Sequence, residues 1–255
     1  MLVAERYERI VGLVNERGSI RVSELSELCQ VTEETIRRDL DRLEQGGRLR
    51  RSHGGAVSIK DSQHQHAEIP YSEREITHAE EKRRIAQEAI KRIAPNERIL
   101  LDASTTAWYM AGDVPDIQLT VLTNSIKVAT ELSGKEKIEV IATGGIVAQR
   151  SLSFVGPLAE RSLDAYYVDK VFLSCKGVHL ERGISESNEL QARIKEKMIG
   201  RAEEVILLAD SSKFGVQAFT HVADLDKVDV IITDRKIAKE TVERLEARGI
   251  KVVIA

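Results

Sequence analysis

From residue 99 onward, short apolar runs alternate with amphipathic segments, and this alternation constrains the fold more than any other feature of the chain. Seven runs have strand character: Ile99-Leu100-Leu101, Leu119-Thr120-Val121-Leu122, Ile138-Glu139-Val140-Ile141, Val171-Phe172-Leu173, Val205-Ile206-Leu207-Leu208, Val230-Ile231-Ile232 and Val252-Val253-Ile254. Helical patterns lie between most of them, at 105–111, 125–132, 157–163, 190–201 and 238–248. Strands this short and apolar, separated by helices, imply a mostly parallel sheet covered on both faces. Right-handed crossovers then make it a doubly wound α/β domain.

Polar residues end these strands. Leu101 is followed by Asp102-Ala103-Ser104-Thr105-Thr106, Leu122 by Thr123-Asn124-Ser125, and Ile141 by Ala142-Thr143-Gly144-Gly145. Leu173 leads to Ser174-Cys175-Lys176-Gly177, and Leu208 through Ala209 to Asp210-Ser211-Ser212-Lys213. In open α/β sheets, ligands bind beyond the carboxyl ends of the strands. Ser104, Thr105 and Thr106 open a helix and offer hydroxyls and backbone N–H groups to a phosphate. Asp102 is an acceptor for sugar hydroxyls, and Lys213 or Lys176 can balance a phosphate's charge. One such loop alone is as readily an ordinary helix cap; five converging polar ends point to a small polar ligand. Neither Gly-x-x-x-x-Gly-Lys-Ser/Thr nor Gly-x-Gly-x-x-Gly occurs, so a nucleotide site is poorly supported.

The first 58 residues carry a different pattern. Leu2, Arg6, Ile10, Leu13 and Val14 mark an amphipathic helix running to about Arg17-Gly18. Ser23 is a candidate cap for a second helix holding Leu25 and Leu28, and Cys29-Gln30-Val31 reads as a tight turn. Thr32 then caps a third helix in which Ile36, Leu40 and Leu43 share one face. Glu34, Arg38 and Asp41 lie opposite, with Thr35 and Arg37 on the flanks. This is the three-helix core of a helix-turn-helix, whose last helix enters the major groove. Leu49 to Val57 reads as a β-hairpin turning at Gly54-Gly55, a wing that would set Arg50 and Arg51 against phosphate and bring His53 near the minor groove.

Charge is distributed accordingly. The chain is 255 residues long with a net charge of −3, yet seven Lys/Arg face three Asp/Glu between Thr35 and Lys60. A basic recognition segment on an acidic body suits a compact regulator. Cys29 and Cys175 fall in different predicted domains and propose no disulfide. No apolar run is long enough to span a bilayer, and the charged start Ala4-Glu5-Arg6 is not a signal peptide, so the expected compartment is the cytoplasm. Residues 59–74, with Lys60-Asp61-Ser62-Gln63-His64-Gln65-His66 and Pro70, lack apolar periodicity and read as a linker. His64 and His66 have too few partners for a metal site. Thr77-His78-Ala79-Glu80 is a capping box for a long helix reaching Ala94.

Arg6, Ile10, Val14, Thr32, Thr35, Ile36, Arg37, Arg38, Asp39 and Leu40 stand at spacings that resemble the winged helix-turn-helix signature of DeoR/GlpR-family transcriptional regulators. The remainder of the chain resembles that family's sugar-phosphate sensor domain, itself similar to ribose-5-phosphate isomerase, so the likeness covers nearly the whole sequence. It implies a DNA-binding domain at 1–58, a linker at 59–74 and a sensor at 75–255. Asp102, Ser104, Thr105 and Thr106 match the family's phosphate and sugar loop, Thr123, Asn124 and Ser125 the second loop, and Gly144-Gly145 the third. Asp210 to Phe214 matches a motif near the pocket, and Lys195 lies in a helix carrying a pocket-facing lysine. Ala103 departs from the usual Ser or Gly.

The resemblance implies a repressor of a carbohydrate operon, bound to double-stranded operator DNA, released by a phosphorylated sugar and needing no cofactor. A single winged helix binds weakly, so a dimer or tetramer is expected. The competing reading is a sugar-phosphate isomerase or transferase with an appended DNA-binding arm. The acidic residues that come after the fourth strand in the related isomerases are replaced here by Ser174-Cys175-Lys176-Gly177. Glu186 could imitate a transferase glutamate, though an exposed loop glutamate is the commoner explanation, and Cys175 has no evident base partner.

Overall fold

The computed structural model describes residues 2–17, 19–52, 54–58 and 68–255, and its contacts divide the chain into two units, Met1–His78 and Ala79–Ala255. His53, His64 and His66 lie outside the described residues.

The first unit contains α1 (Val3–Arg17), β1 (Ser19–Arg21), α2 (Val22–Cys29), α3 (Glu33–Gln45), β2 (Arg50–Ser52), β3 (Gly55–Val57) and α4 (Tyr71–Ile76). Ile10 and Val14 of α1, Leu25 of α2, and Ile36, Leu40 and Leu43 of α3 interlock in one core that the 3.6-residue spacing foreshadows. Leu2 is exposed and precedes α1. Arg21, not Ser23, holds the N-cap position of α2, and no side chain caps that helix. Gln30, in the left-handed conformation, closes α2 and makes the turn toward α3.

The hairpin is present but gains a third strand, β1, which pairs with β3. That strand changes the role of the glycine pair. Gly54 takes the left-handed conformation (φ 84°), whereas Gly55 is needed for close approach, since a Cβ there would lie 2.2 Å from the Ile20 carbonyl oxygen. A helix, α4, begins inside the segment read as linker. Tyr71 is buried, and Glu73 pairs with Arg48, which also holds Glu8 of α1, so burial and charge order this stretch without apolar periodicity.

The second unit runs α5 (Ala79–Ile90), β4 (Arg98–Leu101), α6 (Thr105–Asp113), β5 (Leu119–Thr123), α7 (Ile126–Leu132), β6 (Ile138–Ala142), β7 (Ile146–Ala148), β8 (Ser153–Val155), α8 (Pro157–Leu163) and β9 (Val168–Leu173). It continues through β10 (Gly177–His179), β11 (Gly183–Glu186), α9 (Glu189–Ile199), β12 (Ala202–Leu208), β13 (Thr220–Ala223), β14 (Val230–Thr233), α10 (Lys239–Glu246) and β15 (Lys251–Ile254). All seven anticipated strands join one parallel sheet in the order β15-β14-β12-β9-β4-β5-β6. Alternate residues feed two cores. Ile99 and Leu101 of β4 and Phe172 of β9 pack against α5, α6 and α7. Leu100 of β4 and Val171 and Leu173 of β9 face α8, α9 and α10.

Two features were not anticipated: the β7–β8 hairpin, and a small antiparallel sheet of β10, β11 and β13. Helix α5 ends at Ile90, short of Ala94. The order of the large sheet reverses at β4, whose chain continues to β5 on one side while β9 pairs with its other edge. This is the topological switch point, where open α/β sheets leave a crevice.

Candidate functional site

In the first unit the candidate recognition helix is α3. Thr32 caps it, its hydroxyl accepting from Thr35 N at 3.3 Å and lying 2.9 Å from the Thr35 hydroxyl. Arg37 and Arg38 point outward, each bridged one turn back: Arg37 to Glu33 at 2.6 Å and Arg38 to Glu34 at 3.3 Å. The side chain of Arg38 is 73% exposed and that of Arg37 49%, matching the placement of Arg38 opposite the apolar stripe and Arg37 on its flank. Asp39 turns inward and takes a two-point ion pair from Arg6 of α1, at 2.5 and 3.2 Å. The Asp39 hydrogen bond raises the Arg6 pKa above its ordinary value, against burial acting to lower it.

The wing arginines part company. Arg50 is exposed, whereas Arg51 forms an ion pair with Asp41 and its backbone N–H donates to Glu44 at 2.7 Å. Arg51 therefore ties the hairpin to α3, and Asp41 leaves the outward set it shared with Glu34 and Arg38. Period-2 alternation along β2 sends the two arginines to opposite faces.

In the second unit Asp102 leaves β4 at the switch point, and its side chain is fully buried. One carboxylate oxygen accepts from Ser104 N at 3.0 Å, the other from Ser174 N, just beyond β9, at 2.9 Å. That second oxygen also lies 3.2 Å from Lys195 Nζ of α9. The Lys195 ammonium donates to the Ser174 carbonyl at 2.6 Å and to Glu186 at the end of β11. Burial acts to lower the Lys195 pKa, but Glu186 and Asp102 outweigh it and hold the ammonium above the usual lysine range. Lys213 reaches the same strand end, donating to the Ser174 hydroxyl at 3.0 Å and to the Cys175 carbonyl. Asp102, Lys195 and Lys213 thus converge on Ser174, and Ser104 joins them through Asp102.

Ser104 caps α6, accepting from Ala107 N at 3.1 Å, with Thr105 and Thr106 buried in its first turn. The Thr123 hydroxyl donates to the Leu101 carbonyl at 2.7 Å and accepts from Ser125 N at 3.0 Å, binding the second loop to the first. Ser125 caps α7, and Asn124 donates to the Phe154 carbonyl of β8 at 3.0 Å. In the third loop Gly144 and Gly145 both have positive φ, and a Cβ on Gly145 would sit 2.9 Å from the Val155 carbonyl oxygen. Lys176 departs from the cluster in one respect: its side chain is exposed.

Glu186 corrects the sequence reading, because it is buried and salt-bridged where an exposed loop residue was expected. A bulge between Ile184 and Ser185 and burial of every residue of β11 remove the alternation that would mark it as a strand residue. Gln191 of α9 also went unnoticed. It donates to Ser151 at 2.7 Å and Ser153 at 3.0 Å, joining the β7–β8 hairpin to α9. No spacing rule links a glutamine to two serines nearly forty positions earlier. Burial pushes the Cys175 thiol up to about 12, which leaves it protonated and a poor nucleophile.

Comparison with known proteins bears on both units. The model of the DeoR-like helix-turn-helix domain matches residues 6–62, and that of the DeoR C terminal sensor domain matches residues 77–235. The chain is 58% identical to the uncharacterized HTH-type transcriptional regulator YulB of Bacillus subtilis (strain 168), over 99% of this chain and 96% of that one. It is 39% identical to the L-fucose operon activator of Haemophilus influenzae, over 98% and 99% of the two chains. It is 35% identical to a putative aga operon transcriptional repressor of Escherichia coli O157:H7, over 98% and 93%.

Proposed function

The chain belongs to the DeoR family of DNA-binding transcriptional regulators, and on that footing we propose that it represses a carbohydrate-utilisation operon and is released by a phosphorylated sugar bound at the β4/β9 crevice. One observation carries the reading: at the switch point of the sheet, Asp102, Lys195 and Lys213 meet at Ser174 from three separate segments, with Ser104 joined through Asp102 and Glu186 through Lys195. Carboxylates suit sugar hydroxyls, while the start of α6, with its capped first turn, and Lys213 suit a phosphate. The effector set is Asp102, Ser104–Thr106, Thr123–Ser125, Gly144-Gly145, Lys195 and Lys213. The operator set is Thr32, Glu34, Thr35, Arg37, Arg38 and Arg50. The working form is a cytoplasmic homo-oligomer, because one winged helix offers too little contact for a stable operator complex.

An isomerase or transferase gains no support here. Asp102 and Glu186 are both committed to Lys195, so neither is a free general base, and the Cys175 thiol is sealed in its protonated form. Sugar phosphates incubated with the protein should come back unchanged.

Release follows from linkage. If one state of the oligomer fits DNA and another the sugar phosphate, each ligand opposes the other by the same coupling energy, typically ~1–3 kcal/mol. The test is to titrate operator complexes with sugar phosphates and with the matching free sugars. Only the phosphorylated compounds should release DNA; release by free sugar at equal concentration overturns the phosphate assignment. Asp102→Asn is the milder variant, since its amide oxygen keeps an acceptor for one of the two buried N–H groups whereas Asp102→Ala strips both. It should bind operator and ignore the effector. Repression predicts that deleting the gene raises expression of the controlled operon; a fall would make the protein an activator.

A further inference from the structure

The outward face of α3 is electrically balanced. Glu33 and Glu34 lie one turn before Arg37 and Arg38, and each arginine is already bridged to its glutamate. Such a surface gains little from general attraction to phosphate. A carboxylate on a face that approaches DNA is repelled by the backbone unless it receives a hydrogen bond from a base. Glu34 stands in that position, with its side chain 63% exposed and opposite the Ile36–Leu40–Leu43 stripe. Asp41, the other acid on that side, is held by Arg51 of the wing. The outward pair is therefore Glu34 and Arg38.

We infer that Glu34 reads a cytosine, accepting a hydrogen bond from its exocyclic amino group in the major groove, beside a guanine that Arg38 holds through O6 and N7. The inference rests on α3 being the DNA-reading helix. Major-groove donors are confined to cytosine N4 and adenine N6, and a carboxylate, having only acceptors, suits the single donor of cytosine. Adenine pairs its donor with the N7 acceptor, which calls for an amide such as Gln or Asn. Arginine, a two-pronged donor, fits guanine. Glu34 and Arg38 share a 3.3 Å hydrogen bond, and stacked pairs are about 3.4 Å apart. We place the two bases in neighbouring base pairs, so that each is read at its own position.

The test uses the full chain and a randomised double-stranded DNA library. Sites enriched by the parent are then measured position by position with the parent, Glu34→Ala and Glu34→Gln. At one position the parent should lose about 5- to 150-fold in affinity when C·G is replaced by T·A. Glu34→Ala should lose that discrimination while keeping the guanine preference, and Glu34→Gln should shift the position toward adenine. Three results overturn the assignment: cytosine preference undiminished in Glu34→Ala, loss confined to the guanine position, or a uniform gain on all sequences. The second would make Glu34 a positioning residue for Arg38, and the third a bare repulsive charge. A parent that enriches no sequence removes the premise that α3 reads DNA, and the inference with it.

Discussion

Replacing Lys195 with methionine tests the crevice most directly. The side chain is 8% exposed, and its ammonium faces the Glu186 carboxylate, the Asp102 carboxylate at 3.2 Å and the Ser174 carbonyl at 2.6 Å. Methionine keeps most of the aliphatic volume and removes the charge, leaving two buried carboxylates without their shared cation. Breaking a buried pair from one side typically costs ~3–5 kcal/mol, because the remaining charge is stranded. For a domain of 150–250 residues each kcal/mol lowers the melting temperature by about 2–4 °C, so the sensor transition should fall by roughly 6–20 °C. Calorimetry of the whole chain separates this from the DNA-binding unit, whose transition should stay put. Adding Glu186→Gln removes one stranded charge, so the double variant should melt above Lys195→Met alone. A sensor transition within about 2 °C of the parent, or singles whose losses simply add, would refute the shared-cation account.

Other contacts give expectations of their own. Arg50→Ala should weaken all DNA sequences alike and flatten the dependence of log affinity on log salt, whereas Arg51→Ala, which unties the wing from Asp41, should show mainly as loss of stability; equal salt slopes for the two would contradict the pairing. Asp39→Asn should destabilise the first unit by ~3–5 kcal/mol and take operator binding with it, as read by calorimetry and a gel-shift titration, since Arg6 is left buried without its counter-charge. Arg98 holds Asp169, and Lys197 and Arg201 hold Asp164, below the usual carboxylate range, so the stability these groups give is present above about pH 4 and is lost as pH falls through their lowered pKa values. Arg98→Ala should make the acid limb of a denaturation–pH curve shallower, and an unchanged limb would count against it.

How far the sequence could be read depended on which physical signal each element carried. The seven parallel strands were legible because helices cover both faces of the sheet, so their runs are mainly apolar, broken only at Thr120 and Glu139. Helices α1, α2 and α3 were legible from spacing, and Ser104 and Ser125 from cap chemistry. Helix α4 was not, because the buried Tyr71 and the Arg48–Glu73 ion pair that help to hold it make no period. The small sheet and the β7–β8 hairpin consist of strands of three or four residues, too short for alternation to rise above chance.

The site divides the same way. Residues that leave a strand and cap a helix advertise themselves locally, and Asp102, Ser104, Thr123 and Ser125 did so. Residues defined by a distant partner do not. Arg6 and Asp39 stand 33 positions apart, Lys195 and Asp102 stand 93 apart, and each pair has meaning only once the fold closes. Lys195 came into view through family likeness, yet its chemistry differs from that of a free cation awaiting a phosphate. One ammonium is divided between two carboxylates, so the crevice is acidic around it before any ligand arrives. On the proposed effector reading, a phosphate would be met by Lys213 and the opening turn of α6, with Asp102 and Glu186 left to hold hydroxyls. The phosphorylated and free sugars are then the decisive pair to compare, since only the former can use Lys213 and the helix opening.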